Sequence, residues 1–446
     1  MSDHTAGNDK SGQNVLGRFV TDYGMVFVLL LLGVLFSMLT FTEQHPTGAD
    51  AGVAVASVVA NQLGAGASVL IVTRDTAGDS AFNEAAAEHL EDHGVAVVAR
   101  VQGSPADARA AIEEALASGN SIDAVIANNV TAKWTVYARY PEVGSEKIVK
   151  PDPYYWPTFL KSTNLLGVAN QTAIYAIIAI GMTMVIITAG IDLSVGSLVA
   201  LASVISAMLI RDLASGADTG APAMVLCCMA ALLVCALAGA FTGVMVTAFK
   251  IPPFIVTLAV MMMASGLAFR LSEGRSIPEL PRSFFWLGSE STLGIPNPVI
   301  LMLGLYLLAH IVMTRMSFGR YVYAIGGNRE AARLSGVPVV GVLLAVYTIC
   351  GALAGLGGIM LASQLAAGDP KFGLMYELEV IAAVVVGGTS LMGGEGKIFG
   401  TLIGAFIIAV IKNGMNLTDV DPFNQKIVLG AVLLGAVLID TLKRRS

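Results

Sequence analysis

The chain has 446 residues, of which 55% are apolar and only 13% charged, with a formal net charge of −6 and a mean hydropathy of +0.73. A soluble domain carries about 25% charged residues, so a wholly soluble protein is excluded. The missing charge lies in long apolar runs such as 26–39 and 221–249, lengths suited to helices crossing a hydrocarbon core of about 30 Å. The 48 glycines agree, because small residues let membrane helices approach closely. These numbers describe a polytopic membrane protein, and the order of its runs gives an all-α fold of about ten expected transmembrane helices with a small inserted α/β domain.

In chain order, residues 1–22 read as a polar tail in which Lys10 and Arg18 precede the first apolar run, 23–41. A signal peptide has a shorter apolar core and a small-residue cleavage site, so this run is expected to be a retained first span. Residues 42–157 break the pattern. They hold 15 Asp and Glu against 7 Lys and Arg, a net −8, which leaves the rest of the chain at +2. "SVLIVT" (68–73), "VAVVARV" (95–101) and "IDAVIA" (122–127) read as strands, and 80–93 and 105–118 as helices between them, with a further helix expected over 50–63. Strands alternating with helices of this length make βαβαβ units on a parallel sheet. Trp134, Tyr154, Tyr155 and Trp156 offer rings for a sugar, but aromatic anchoring at the lipid headgroups explains the last three more cheaply.

From 158 to 442 apolar runs return. With the first, the expected spans are 23–41, 166–188, 193–211, 221–248, 254–271, 298–314, 339–363, 378–393, 398–416 and 424–441. Short cytoplasmic loops carry an excess of Lys and Arg. Arg315, Arg320, Arg329 and Arg333, and the tail 443–446 with Lys443, Arg444 and Arg445, therefore belong inside. Ten crossings then put both termini in the cytoplasm and the insert outside. The four cysteines all fall in apolar runs, the five histidines are scattered, and neither set has metal-ligand spacing. No metal, cofactor or catalytic residue is expected, and an acidic chain suggests no nucleic-acid partner.

Three stretches carry chemistry. "TAGIDLSVGSL" (188–198) sets Asp192 between two apolar runs, where an ionisable group is costly unless paired or wet. Gly190 breaks the first run, and Asp192 or Ser194 is placed to cap the helix that restarts. Capping and lining a translocation path are compatible roles for Asp192, Ser194 and Ser197, since broken helices at membrane depth occur where they line a cavity. "GTSLMGGEGKIFGTLIGAFIIAV" (388–410) has a related shape, a weak internal repeat with Glu395 in the place of Asp192. Glu377 and Glu379 lie just before it and join the path candidates. "RMSFGRYVYAIGGNREAARLSGVPV" (315–339) is far more charged than its flanks. Asn328 or Gly327 can start a short helix over 329–334, ended by Gly336 and Pro338. The nearest approach to a nucleotide-binding loop, "GGEGKI" (393–398), has the wrong spacing and Ile398 after Lys397, so any ATP hydrolysis belongs to another chain.

Together these stretches resemble the permease subunit of bacterial ATP-binding cassette importers for monosaccharides of the ribose, xylose and galactose type. The resemblance rests on "IIAIGMTMVIITAGIDLSVGSLVAL" (177–201), "IPPFIVTLAVMMMASGL" (251–267), "GRYVYAIGGNREAARLSGV" (319–337), "YELEVIAAVVVGGTSLMGGEGKIFGTLIGAFII" (376–408) and the run ending "IVLGAVLLGAVLID" (427–440). It covers nearly all of 158–442. It implies a permease that pairs with a second chain, binds a cytoplasmic ATPase subunit and receives sugar from an extracytoplasmic binding protein at the inner membrane. It also implies that the loop 326–336 docks on the ATPase, with Gly326, Asn328, Glu330, Arg333 and Gly336 as its functional residues. Ordinary members join the first two spans by a short loop, so the insert is a departure. It resembles half of one lobe of a sugar-binding protein, which favours a spacer or docking role. The rival readings are a sensory receptor whose insert binds a ligand, and an ion-coupled carrier, which would want more unpaired intramembrane carboxylates.

Overall fold

The computed structural model describes residues 10–213 and 219–445. The first part of the expected tail 1–22 and the final residue of 443–446 lie outside the described residues. The chain divides into two compact units, Phe41–Thr158 and the remainder.

Helix α1 (Lys10–Leu39) leads into the smaller unit, whose elements are β1 (Phe41–Gln44), α2 (Ala49–Leu63), β2 (Ser68–Thr73), α3 (Ala77–Asp92), β3 (Ala96–Gln102), α4 (Pro105–Ala117), β4 (Ala124–Ala127), β5 (Ile148–Val149) and β6 (Tyr154–Pro157). Four strands form a parallel sheet in the order β3-β2-β4-β5. Side chains on a strand alternate between faces, and β2 shows the consequence. Val69 and Ile71 join α2 and α3 in one apolar cluster with Phe82 and Leu90. Leu70 and Val72 join α4 in the other, with Ile112 and Tyr137. Both faces being covered, the strand is a continuous apolar run.

Helix starts follow from local hydrogen bonding. Helix α3 begins earlier than the expected 80, because the Thr76 side chain caps it by accepting from the Asp79 N–H at 3.4 Å. Ahead of α4, the Asp107 carboxylate accepts from the Ser104 N–H at 2.7 Å and Pro105 occupies the first turn. Strands β1 and β6 pair antiparallel from Phe41 opposite Pro157 to Gln44 opposite Tyr154. Phe41 stacks on Tyr155 with ring centroids 6.1 Å apart. Tyr154, Tyr155 and Trp156 thus belong to a two-stranded ribbon, with their rings exposed.

The larger unit continues with α5 (Ser162–Ile187), α6 (Val195–Leu213), α7 (Ala221–Thr247), α8 (Pro253–Leu271), α9 (Asn297–Arg315), α10 (Ser317–Gly327), α11 (Arg329–Leu334), α12 (Val339–Leu365), α13 (Tyr376–Val386), α14 (Ile398–Leu417) and α15 (Pro422–Arg445). Seven of these, α5 to α9, α12 and α14, are long and apolar enough to cross a membrane, and the apolar parts of α1 and α15 are shorter. The crossing expected over 378–393 is corrected. Helix α13 has 11 residues, about 16 Å at 1.5 Å per residue, or half of a hydrocarbon core. It stops at Gly387, and Gly388 with φ +82° turns the chain away.

Helix α12 is the axis of this unit, packing on α5, α6 and α7. The approach is close: a Cβ on Gly351 would strike the Cys235 carbonyl, and one on Gly239 the Tyr347 carbonyl.

The smaller unit has its own cores, so a fragment spanning 41–158 is expected to unfold as a single cooperative transition in urea. Gly52 lies against the Phe82 backbone carbonyl, and Gly52→Val should remove about 1–3 kcal/mol by overpacking. Asp107 is held below the usual carboxylate range by the Ser104 N–H and hydroxyl. Its contribution is therefore complete at neutral pH and is lost as pH falls through its depressed value. Circular dichroism should accordingly show Asp107→Asn lowering the midpoint at pH 7 and matching the parent in strong acid.

Candidate functional site

The α5–α6 break sits deep among the helices. Tyr347 and Cys350 of α12 lie beside Asp192, about 12 and 17 Å along α12 from its first residue. Asp192 is fully buried. Its Oδ1 accepts from the Ser194 N–H at 2.9 Å and the Ser194 hydroxyl at 2.6 Å, the Asx-turn arrangement in which a side chain mimics a backbone turn. Asp192 therefore holds the turn ahead of α6, while the Ser194 carbonyl accepts the first N–H inside the helix, from Leu198 at 2.9 Å. Oδ2 makes no hydrogen bond of good geometry among the described residues, and the Cys350 thiol lies beside the carboxylate. The carbonyl of Ile191, in the same break, accepts from the Thr257 hydroxyl of α8 at 3.3 Å.

The second break, 387–397, comes up against the first. The Gly394 N–H donates to the carbonyl of Ile187, the last residue of α5, at 2.8 Å. The expected likeness of Glu395 to Asp192 is corrected here, since Glu395 is exposed where Asp192 is buried. A glycine-rich turn reaches its partner through backbone, so its carboxylate need not enter.

Helix α10, which the charge pattern did not suggest, ties both breaks to the charged loop. The Tyr323 hydroxyl donates to the Gly396 carbonyl at 2.8 Å. Gly326 packs so closely that a Cβ there would overlap the Ile187 carbonyl and approach the Gly394 nitrogen. Immediately beyond, the Asn328 side chain caps α11 by accepting from the Ala331 N–H at 2.9 Å, and Gly336 with φ +85° follows its end. Ala332 is buried, while Glu330, Arg333 and Leu334 are exposed. Glu330 and Arg333 bond each other, with Arg333 Nε donating at 3.1 Å, so Glu330 is held below the usual carboxylate range. An exposed pair of this kind contributes little stability. It presents a fixed charged surface beside Leu334.

The remaining path candidates fall in two cavities. Ser197 and Glu377 line one of about 460 Å³, together with Gly196, Phe269 and Lys371. Glu379 lines another of about 280 Å³, with Tyr175, Tyr376, Gln364, Lys412 and Asn413. There Lys412 Nζ donates to both carboxylate oxygens of Glu379 at 2.9 Å and stands 5.1 Å from the centre of the Tyr175 ring. The Tyr175 and Tyr376 rings are 4.4 Å apart. Sequence reasoning missed Lys412; its signal was a single cation inside the apolar run of α14. Among the described residues no three His, Cys, Asp or Glu side chains group as a metal site.

Broken helices whose ends meet inside a bundle of spans, beside polar cavities, are the construction of a membrane transport protein, and that is the class of this chain. The family described as "Branched-chain amino acid transport system / permease component" matches residues 164–437, and the chain belongs to it. The ribose import permease protein RbsC of Escherichia coli K12 is 42% identical over 292 residues, which are 65% of this chain and 88% of that protein. RbsC of Bacillus subtilis 168 is 43% identical over 289 residues, 64% and 87%. The L-arabinose transport system permease protein AraH of Escherichia coli K12 is 36% identical over 290 residues, 65% and 86%. No solved structure matches the chain at a significant level. The relatives are transport components rather than enzymes, and this chain is likewise a multi-pass membrane permease.

If α10 carries force between the loop and the breaks, Gly326→Ala should lower transport at least tenfold while the protein still reaches the membrane. Tyr323→Phe removes one hydrogen bond, about 1 kcal/mol, and should give a partial loss. Uptake per membrane-inserted molecule measures both, and full uptake by Gly326→Ala contradicts the assignment.

Proposed function

We propose that the chain is the membrane-spanning permease subunit of an ATP-driven importer of a monosaccharide, an aldopentose or related aldose as the names of its relatives suggest. A separate cytoplasmic ATPase subunit docks on 326–336, an extracytoplasmic binding protein delivers the sugar, and a second permease chain, most simply another copy, completes the path across the inner membrane. The observation that carries this reading is the continuity from α11 to the helix breaks: Asn328 fixes the exposed helix, and Gly326 and Tyr323 of α10 seat on both breaks. Movement of an ATPase groove around α11 is thereby passed to backbone at membrane depth. ATP can bias outward-open against inward-open states only through such differential contacts.

The positive residues of 315–333 support a cytoplasmic loop and an extracytoplasmic insert. Among the described residues the insert has one parallel sheet and no second lobe to close on a sugar, which supports a role as spacer or docking surface.

Uptake of labelled ribose, arabinose and allose into proteoliposomes, with the ATPase, a binding protein and ATP, tests the transport reading; no ATP-dependent uptake of any aldose would overturn it. Glu330→Ala with Arg333→Ala should abolish uptake and ATPase association together, leaving membrane insertion intact.

For the topology, single cysteines at Ser118 and Ser335, in a background lacking the native four, are read with an impermeant thiol reagent on intact cells. Labelling at 118 and not at 335 is expected, and the reverse pattern refutes the orientation.

A further inference from the structure

We propose that the cavity between α5, α12, α13 and α14 is a binding site for one neutral polyhydroxylated ring within a single permease chain. The proposal deepens the import reading and rests on it for the class of ligand. Its starting point is the Glu379–Lys412 pair, both less than a third exposed, on helices of a membrane unit. Ionisable groups there are costly and mark functional paths. Opposite charges 2.9 Å apart leave the lining electrically neutral, which disfavours an anion or a cation as ligand. An ammonium and a carboxylate side by side instead suit vicinal hydroxyls, one accepting from Lys412 while its neighbour donates to Glu379.

The walls agree with that chemistry. Tyr175 and Tyr376 supply ring faces for the C–H face of a sugar and hydroxyls at their rims, and Gln364 and Asn413 supply amides. Val168, Ile174, Leu361, Leu365 and Ile408 complete the wall and would lie against the C–H edges of a ring, so leucine is the competing ligand that the test must include. A volume of about 280 Å³ is at the small end of ligand pockets, enough for one monosaccharide and too little for an oligosaccharide.

Saturation-transfer NMR on the purified full-length chain in detergent, titrated with D-ribose, L-arabinose and L-leucine, tests this without the ATPase or binding protein. Transfer from aromatic protons to an aldose is expected, and none to leucine. Lys412→Met and Glu379→Gln should each raise the aldose Kd about tenfold, the cost of a lost charged hydrogen bond. The unfolding midpoint of each variant in detergent is read alongside: weakened binding with an unchanged midpoint is expected, whereas a midpoint that falls together with binding would make the pair purely structural. If those variants misfold, Asn416→Leu, on the exposed rim, replaces them and should weaken binding less. Absence of transfer to any aldose, transfer to leucine alone, or variants that bind as the parent does would overturn the proposal. If the reconstituted complex imports no aldose, the import reading fails instead, and the titration still decides the cavity.

Discussion

A backbone carbonyl buried away from both water and its own helix must find a donor or cost the protein several kcal/mol. The carbonyl of Ile187, at the end of α5, is that group. It takes its hydrogen bond from Gly394 in another break, and the fit allows no Cβ on Gly326. Three chain segments far apart in sequence therefore meet at one oxygen. The positions of α6, α10 and the 387–397 turn all depend on that meeting, and α11 follows from α10.

This arrangement explains why the break at Asp192 is stable without being inert. Ser194 satisfies one carboxylate oxygen, whereas the other makes no hydrogen bond of good geometry among the described residues. The turn is thus held by a local Asx bond and by Thr257 rather than by a long-range ion pair. Local bonds of this kind can travel with the hairpin when neighbouring helices shift. An ion pair bridging two helices would have to break first.

Much of the fold was legible because hydropathy reports burial in lipid or in a core. The long helices, the strands around "SVLIVT" and the short helix capped by Asn328 all leave a local signature. What stayed hidden depends on distant partners. Residues 387–393 read GGTSLMG, so the paired glycines do mark a break, but they do not show that the helix ahead of them has only 11 residues. Strand β5 is two residues long, and it exists only because β4 lies beside it. The pairing of β1 with β6 joins residues more than a hundred positions apart. Glu395 was set beside Asp192 on the pattern of glycines and one carboxylate, and pattern alone does not separate a buried carboxylate from an exposed one. Lys412 was passed over because one cation barely lowers the hydropathy of α14.

The Glu379–Lys412 pair is not accounted for by stability alone. A half-buried ion pair is weak evidence for stability, since desolvation offsets much of the attraction, and apolar residues of similar volume often serve as well. Glu379 and Lys412 stand beside two tyrosines and a cavity, and the pair presents a donor and an acceptor to whatever enters. The half-length of α13 belongs to the same logic. Ahead of it the 366–375 loop packs on α6, with Gly373 close to the Gly196 carbonyl, and Lys371, Phe372 and Glu377 line the larger cavity. The short helix gives up backbone hydrogen bonds in return for polar space inside the membrane unit, and a transport path requires such space.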